Sequence, residues 1–194
     1  MIHSMAGSDT TVTALRATTL FIITHPKVYQ RLQEELDSAA CSGAFKDGVI
    51  SDASAMKLTY LQACIRESLR VLPPAFPMLQ KIVPPGGDVL DGRFVPGGTR
   101  VGTCIWGIMR SRDIFGEDAD TFRPERWLAS DSASLQRMTK AVDIVFGSGR
   151  YHCLGKNVAM FELRKTIATV SSLSTYPSSK IAAQVIIGEA IPSV

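Results

Sequence analysis

The chain has 194 residues, of which 45% are apolar, so it is long enough and apolar enough to bury a core. Its net charge of +3 is small and dispersed, which argues against a nucleic-acid partner. The four cysteines, Cys41, Cys64, Cys104 and Cys153, are widely spaced without a CxxC pair, which excludes a zinc ribbon and a disulfide framework.

Hydrophobic periodicity predicts two helices at the start of the chain. The first is expected over residues 1–24. Pro26 opens the second, because its fixed φ suits the first helical position, where no N–H is needed. Val28, Leu32 and Leu36 would form the apolar face of this second helix.

The middle of the chain is predicted to change from helix to sheet. Residues 39–53 are polar and contain glycine, which indicates a connection. A helix is expected over Met56–Leu72, ended by the prolines that start at Pro73. Short apolar runs alternate with Gly and Pro over residues 76–105, a pattern typical of hairpins, and a short helix follows near Thr103–Met109.

The last third of the chain is predicted to be mostly loop over residues 111–145 and helical over 156–172. A short apolar strand is expected at Ala183–Ile187. The chain as a whole is therefore expected to be mainly α with a small β-sheet and without a domain boundary. The apolar face of the helix over 156–172 would consist of Val158, Phe161, Leu163, Ile167 and Val170.

The most informative segment is the sequence FGSGRYHCLG at Phe146–Gly155, which places Cys153 in a glycine-rich loop just before a helix. The unpaired N–H groups and the dipole at a helix N-terminus favour an anion, and so a thiolate. Gly147, Gly149 and Gly155 allow tight turns and close approach to a flat object. Such a thiolate suits axial ligation of haem iron. A buried cysteine in a tight turn is the alternative.

This loop resembles the haem loop of the cytochrome P-450 family, FxxGxRxCxG. The matching positions are Phe146, Gly149, Cys153 and Gly155. One position departs from the family pattern, since Tyr151 stands where the family usually has arginine, and the form resembles that of many fungal members. Arg150 or His152, on either side of Tyr151, would then reach a haem propionate.

Glu67 and Arg70 resemble the ExxR motif of the same family and are followed at once by Pro73 and Pro74. At positions i and i+3 of a helix the two side chains are neighbours and can form short bidentate hydrogen bonds. The alternative is an ordinary exposed helix pair, worth only a few tenths of a kcal/mol.

The segment FGEDADTFRPERW, at residues 115–127, is similar to the family's PERW-type motif. In the family the arginine of this motif joins the ExxR pair, a role that the resemblance assigns to Arg126. A solvated polar loop is the alternative. Phe122 and Trp127 bracket the charges and would draw them toward a core.

The segment AGSDTT, at residues 6–11, resembles the family's oxygen-activating AGxDT motif. A threonine hydroxyl can bond the preceding helical turn and open the helix locally. The resemblance assigns proton delivery to Asp9 and Thr10. The alternative is a helix N-cap, because Ser, Asp and Thr all cap well.

Lys81 takes the place of a family arginine that contacts a haem propionate in the strand after the ExxR helix. Lysine can neutralise a carboxylate as a point charge but lacks the bidentate fork of arginine. An exposed lysine at a strand edge is the alternative.

The resemblance implies a haem-dependent monooxygenase that inserts one oxygen atom from O2 into an organic substrate with electrons from a reductase. Haem-thiolate isomerases and dehydratases of the same fold are an alternative, and they often lack the acid–alcohol pair. The resemblance begins inside the oxygen-site helix, so the chain is similar to the C-terminal part of such an enzyme. The alternative is a truncated, non-catalytic fragment that cannot hold haem by itself.

The resemblance also implies an intracellular protein, and an endoplasmic reticulum membrane location for a full-length family member. No run of about 18 apolar residues is present, so we expect no membrane span within these residues. No charged opening with an apolar core begins the chain, so we expect no signal peptide.

Overall fold

A computed structural model describes residues 2–74 and 80–173 of the protein. In chain order its helices and strands are α1 (Ile2–Thr24), α2 (Pro26–Cys41), β1 (Phe45–Lys46), β2 (Val49–Ile50), α3 (Asp52–Ala55), α4 (Thr59–Val71), β3 (Lys81–Ile82), β4 (Asp88–Leu90), β5 (Arg93–Val95), β6 (Arg100–Val101), α5 (Ile105–Met109), α6 (Arg112–Phe115), α7 (Arg126–Ala129), α8 (Ser132–Asp143) and α9 (Lys156–Leu173). The predicted class, mainly α with small antiparallel sheets, is confirmed.

Helix α4 is the centre of the helical core. It packs against α1, α2, α7, α8 and α9. Leu61, Cys64 and Ile65 on this helix are fully buried, and so are Glu67 and Arg70. A helix that is buried nearly all round must satisfy its polar side chains internally, which makes α4 the natural place for a buried charged cluster.

The predicted apolar face of α2 is confirmed, since Val28, Leu32 and Leu36 are all buried. Pro26 is the first residue of the helix, as expected. Helix α1 also has the predicted extent, from Ile2 to Thr24.

The hairpin-like sheet is confirmed over the described part of residues 76–105. Strands β4 and β5 pair antiparallel, and β3 pairs with β6. The β4–β5 turn is Asp91-Gly92 and the β1–β2 turn is Asp47-Gly48, and all four residues have positive φ. An Asp-Gly pair in this conformation joins two strands tightly, because its twist matches that of the strands.

The predicted connection over residues 39–53 contains helix and strand that the sequence prediction missed. The segment 39–53 holds the end of α2, the β1–β2 hairpin and the start of α3. Ser51 caps α3 by accepting from the Ser54 N–H, and Met56 ends this short helix as its C-cap. The following helix therefore begins at Thr59 and not at Met56.

The prediction of mostly loop over residues 111–145 is wrong, because this segment contains α6, α7 and the twelve-residue α8. The Asp131 side chain caps α8 by accepting from the N–H groups of Ala133 and Ser134. Met138 and Val142, four residues apart, are buried on one face.

The apolar face predicted for the last helix is only partly right. Leu163 and Ile167 are buried, but Val158, Phe161 and Val170 are 59%, 42% and 52% exposed. Leu163 and Ile167 share a face because they are four residues apart, whereas Phe161 lies two positions from Leu163 on another side of the helix. The strand predicted at Ala183–Ile187 lies outside the described residues.

Within residues 2–74 and 80–173, no helix combines the length and the apolar character that crossing a bilayer requires.

Candidate functional site

A buried charged cluster joins α4 to the segment that leads into α7. Its three members are the residues of the ExxR motif, Glu67 and Arg70, and Arg126 of the PERW-type motif. Their side chains are at most 1% exposed. The structure brings these three residues together, and the alternatives of an exposed helix pair and a solvated loop are wrong.

Both oxygens of the Glu67 carboxylate are fully used. Oε1 accepts hydrogen bonds from Arg70 Nη2 at 2.8 Å, Arg126 Nε at 2.9 Å and the backbone N–H of Arg123 at 2.9 Å. Oε2 accepts from Arg70 Nε at 3.0 Å and Trp127 Nε1 at 2.9 Å. Burying a carboxylate is costly unless its oxygens are hydrogen-bonded, and these five bonds satisfy both oxygens.

The remaining N–H groups of Arg70 bind backbone carbonyls at the end of α5 and in the segment that follows it. Nη1 donates to the carbonyl of Met109 at 2.7 Å and to that of Ala119. Nη2 donates to the carbonyl of Thr121 at 2.9 Å. Arg70 therefore fixes the course of this segment as well as the Glu67 carboxylate.

Arg126 is saturated in the same way. Its Nη1 donates to the Phe115 carbonyl at 2.6 Å and to Asp118 Oδ1 at 3.1 Å. Burial alone would raise the pKa of Asp118, but the hydrogen bond and charge of Arg126, with further help from Arg123, hold it below its ordinary value. Asp118 thus supplies the second negative charge that balances the two arginines.

Sequence reasoning missed several partners of this cluster. Trp127 was expected only as an apolar bracket, yet its indole N–H donates to Glu67. Asp118 and the Arg123 N–H were not predicted to take part. All three lie inside the motif at residues 115–127. Nothing in its spacing shows that Trp127 and the Arg123 N–H reach Glu67, 60 and 56 residues earlier, or that Asp118 pairs with Arg126.

The neighbouring Glu125 ties the same segment to α2 and α4. Its Oε1 accepts from the Tyr60 hydroxyl at 2.6 Å and from Arg31 Nη1 at 3.3 Å. Burial and the hydrogen bond to Glu125 raise the pKa of Tyr60, so its hydroxyl stays a donor. Phe21 of α1 stacks on Phe122 with ring centroids 4.7 Å apart. These contacts lock the motif in place from a second side.

The cysteine loop runs between α8 and α9 through two short 3₁₀ turns, Ile144–Phe146 and Gly149–Tyr151. The Cys153 N–H donates to the Phe146 carbonyl at 2.6 Å, which closes the loop. The Cys153 thiol is free and exposed, so the alternative of a buried cysteine is wrong. Cys64, by contrast, is buried, and burial raises the pKa of its thiol, which makes it an inert core residue.

Gly147 is the position in the loop where a side chain does not fit. Its φ is +75°, and a Cβ there would lie 2.6 Å from the carbonyl oxygen of Tyr151. Gly149 also has positive φ, +59°, but a Cβ at that position would meet open space. The first glycine is therefore required by both conformation and space, and the second by conformation alone.

Gly147→Ala is expected to destabilise the loop more than Gly149→Ala. Both variants force a residue with a Cβ into left-handed backbone, at about 1–2 kcal/mol, and only the first also creates a steric clash. Urea unfolding of the two variants measures the difference. Equal losses of stability would show that the loop relaxes to relieve the clash.

Lys81 lies on β3, and its side chain lines a cleft of about 340 Å³ together with Gly147 and Ser148 of the cysteine loop. Lys81 is also exposed on its strand. Its environment therefore agrees both with a propionate contact and with an exposed lysine at a strand edge. Arg150 and His152 are exposed on the loop itself. Two side chains that can bind an anion, Arg150 and His152, therefore lie on the loop, and a third, Lys81, lies across the cleft from it.

Asp9 and Thr10 lie inside α1, which begins at Ile2, so the alternative of a helix N-cap is wrong. The Thr10 hydroxyl donates to the Ala6 carbonyl at 2.9 Å, one turn earlier, as expected. The helix nevertheless continues through this turn without a break. Asp9 is exposed and Thr10 is partly buried. Helix α1 packs on both α4 and α9.

Comparisons with known proteins point to one family. The family model described as Cytochrome P450 matches residues 1–173. The chain is 50% identical over 165 residues to "Cytochrome P450 monooxygenase ABA1" of Pyricularia oryzae, a match that covers 85% of this chain and 32% of the relative. It is 39% identical over 165 residues to "Pisatin demethylase" of Fusarium vanettenii, covering 85% of this chain and 30% of the relative.

A third relative, a "Cytochrome P450 monooxygenase" of Aspergillus terreus, is 38% identical over 176 residues, covering 91% of this chain and 35% of the relative. The chain thus spans about a third of the length of these relatives. It belongs to the cytochrome P450 family.

Proposed function

We propose that this chain is the cysteine-bearing part of a haem-thiolate monooxygenase, in which the Cys153 thiolate would hold the haem iron. Such an enzyme inserts one oxygen atom from O2 into an organic substrate with electrons from a reductase. The observation that carries the proposal is the exposed Cys153 thiol, presented from a glycine-turned loop three residues before α9. The names of the fungal monooxygenase relatives support it.

The residues around the loop fit a haem. Cys153 offers a soft sulfur donor that suits iron. Gly147 and Gly149 keep the loop free of side chains at its turns. Lys81, Arg150 and His152 would hold the haem carboxylates as charged or hydrogen-bonding groups. When bound, the haem supplies the oxygen chemistry, and a thiolate ligand favours O–O cleavage by donating electron density.

The buried cluster of Glu67, Arg70 and Arg126 would act as the scaffold of the loop. Helix α4, which carries the first two residues, packs on α8 and α9, the helices on either side of the loop. A saturated charged network has few alternative geometries, because each change leaves a buried charge without a partner. The cluster would therefore fix the direction from which Cys153 approaches the iron.

Asp9 and Thr10 of α1 would hold and pass protons. The Thr10 hydroxyl hydrogen is directed to the Ala6 carbonyl, which leaves the oxygen lone pairs free to accept a hydrogen bond. Asp9, the preceding residue, is exposed and can exchange protons with water. The two residues would form a short relay that moves protons from solvent into the site.

We also propose the setting of the whole enzyme. Residues 1–194 would form one partial cytochrome P450 domain, and the partners would be a small organic substrate and a reductase. The complete enzyme would act inside the cell, at the endoplasmic reticulum membrane. The family match over residues 1–173 and the fungal relatives are the basis of these proposals.

A second proposal applies to residues 1–194 on their own, which would bind haem weakly or not at all. Large apolar side chains on and just after the cysteine loop are exposed, with Leu154 at 96%, Val158 at 59% and Phe161 at 42%. Apolar surface of this kind favours association over a dry pocket in a monomer.

One experiment tests both proposals. The chain is completed at its amino end with the corresponding segment of the Pyricularia relative, loaded with haem, reduced and exposed to carbon monoxide. A thiolate-type Soret band is expected from the completed protein, and a weak band or none from residues 1–194 alone. A completed protein that folds without such a band would contradict the first proposal. A stoichiometric band from a monodisperse preparation of residues 1–194 would contradict the second.

A further inference from the structure

The cysteine loop is bordered by two charged residues, each at the end of a helix where the helix dipole disfavours its charge. Asp143 is the last residue of α8, and Lys156 is the first residue of α9. A helix dipole disfavours an acidic group at its C-terminus and a basic group at its N-terminus. Each charge is therefore unfavourable within its own helix, which indicates that the two serve a contact between helices.

The structure shows this contact. Lys156 Nζ donates to Asp143 Oδ1 at 2.9 Å, and the two side chains are 27% and 50% exposed. The pair brings together the two ends of the segment 144–155, which contains Cys153. The pair places the positive charge of Lys156 near the C-terminus of α8 and the negative charge of Asp143 near the N-terminus of α9. Each charge therefore compensates the unfavourable charge at the end of the other helix.

Phe146 connects this ion pair to the cysteine. The Lys156 ammonium lies 5.2 Å from the centre of the Phe146 ring, within the range of a cation–π contact. The Phe146 carbonyl accepts the Cys153 N–H at 2.6 Å. Phe146 thus contacts Lys156 through its ring and binds Cys153 through its backbone carbonyl.

We propose that Asp143, Lys156 and Phe146 form a latch that closes the base of the loop and sets the direction of the Cys153 thiol. Asp143 and Lys156 would be positioning residues for the iron ligand, acting through Phe146. The functional part of this inference rests on the proposed haem ligation by Cys153. The closure of the loop does not, since it concerns contacts of the protein alone.

An exposed ion pair adds little to global stability, so we expect the latch to change the local opening of the loop and not the stability of the whole protein. In the full chain, Asp143→Asn or Lys156→Met should leave the melting temperature unchanged. Hydrogen exchange of the peptide that contains Cys153 should become about five times faster, because the bond to the Phe146 carbonyl opens more often. Mass spectrometry of peptides after exchange measures this.

The matched control is Lys165→Met. Lys165 is on the same helix and lies over the ring of Phe161, also at 5.2 Å, but away from the cysteine loop. This variant should leave exchange at Cys153 unchanged. The double variant of Asp143 and Lys156 should exchange no faster than either single variant, since each single change already breaks the latch. Unchanged exchange in both single variants, or additive effects in the double variant, would overturn the latch.

A second measurement separates the latch from the proposed ligation. In the haem-loaded completed protein, the two single variants should shift part of the reduced carbon monoxide spectrum from the thiolate form to the neutral-thiol form, and Lys165→Met should not. If the unmodified protein lacks the thiolate form, the proposed ligation is wrong, and hydrogen exchange alone decides the latch. A pure thiolate spectrum in all variants, despite faster exchange, would show that the latch closes the loop without positioning the sulfur.

Discussion

Cys153→Ala is expected to abolish the thiolate-type Soret band of the haem-loaded, reduced and carbon monoxide-bound protein, tested in the chain completed with the amino-terminal segment of the Pyricularia relative. The physical reason is that methyl cannot replace a sulfur ligand. The loop itself should keep its shape, because its closing bond uses the Cys153 N–H and the Phe146 carbonyl, which the substitution leaves in place. Monooxygenase activity should be lost along with the band.

Cys104→Ala is the matched control for this prediction. Cys104 is also an exposed, free cysteine and also precedes a helix, α5, but it lies outside the glycine-rich loop. This variant should keep the full thiolate band. Retention of the band in Cys153→Ala would show that another group ligates the iron, and loss of the band in both variants would indicate a general effect of losing a thiol.

Local rules predicted most of the helices and the hairpins. Pro26 marked the start of α2, because its ring restricts its own backbone. The alternation of short apolar runs with Gly and Pro predicted the hairpins. Helix α8 was missed although its signals were present, namely the cap residue Asp131 and buried apolar positions at helical spacing. The periodic signal of α8 is short, because its buried residues, Met138, Ala141 and Val142, all lie in its second half.

Which face of a helix is buried could be predicted for α2 but not for α9. The apolar positions of α2 follow one stripe, whereas α9 carries apolar residues on several sides. The buried side is then decided by its neighbours α1, α2, α3 and α4, which no local pattern shows.

The charged cluster likewise has a part that follows from the sequence and a part that does not. The positions of Glu67 and Arg70 on one helix face follow from their spacing, but the partner Arg126 lies 59 residues from Glu67 and was assigned only through the family resemblance. The carbonyl acceptors of Arg70, at Met109 and Thr121, have no sequence signature at all, because any residue type presents the same carbonyl.

Glu67→Ala is expected to unfold the region around the cysteine loop. The substitution removes the acceptor of five hydrogen bonds and leaves two guanidinium groups, Arg70 and Arg126, buried beside each other. Breaking a buried pair by removing one partner costs about 3–5 kcal/mol. Because a whole domain is stable by only about 5–15 kcal/mol, this loss is a large part of the total.

The measurement is urea unfolding of the variant and of two controls. Glu67→Gln keeps the shape of the side chain and one acceptor oxygen, so it should lose less stability than Glu67→Ala. Glu117→Ala removes the acid of an exposed pair with Arg112, whose side chains are 63% exposed for the arginine and 89% for the acid, and should be neutral within error. If Glu67→Ala were as stable as Glu117→Ala, the charged cluster would not hold the fold together. If the alanine variant instead lost haem while remaining folded, the cluster would act on the cysteine loop without supporting the core.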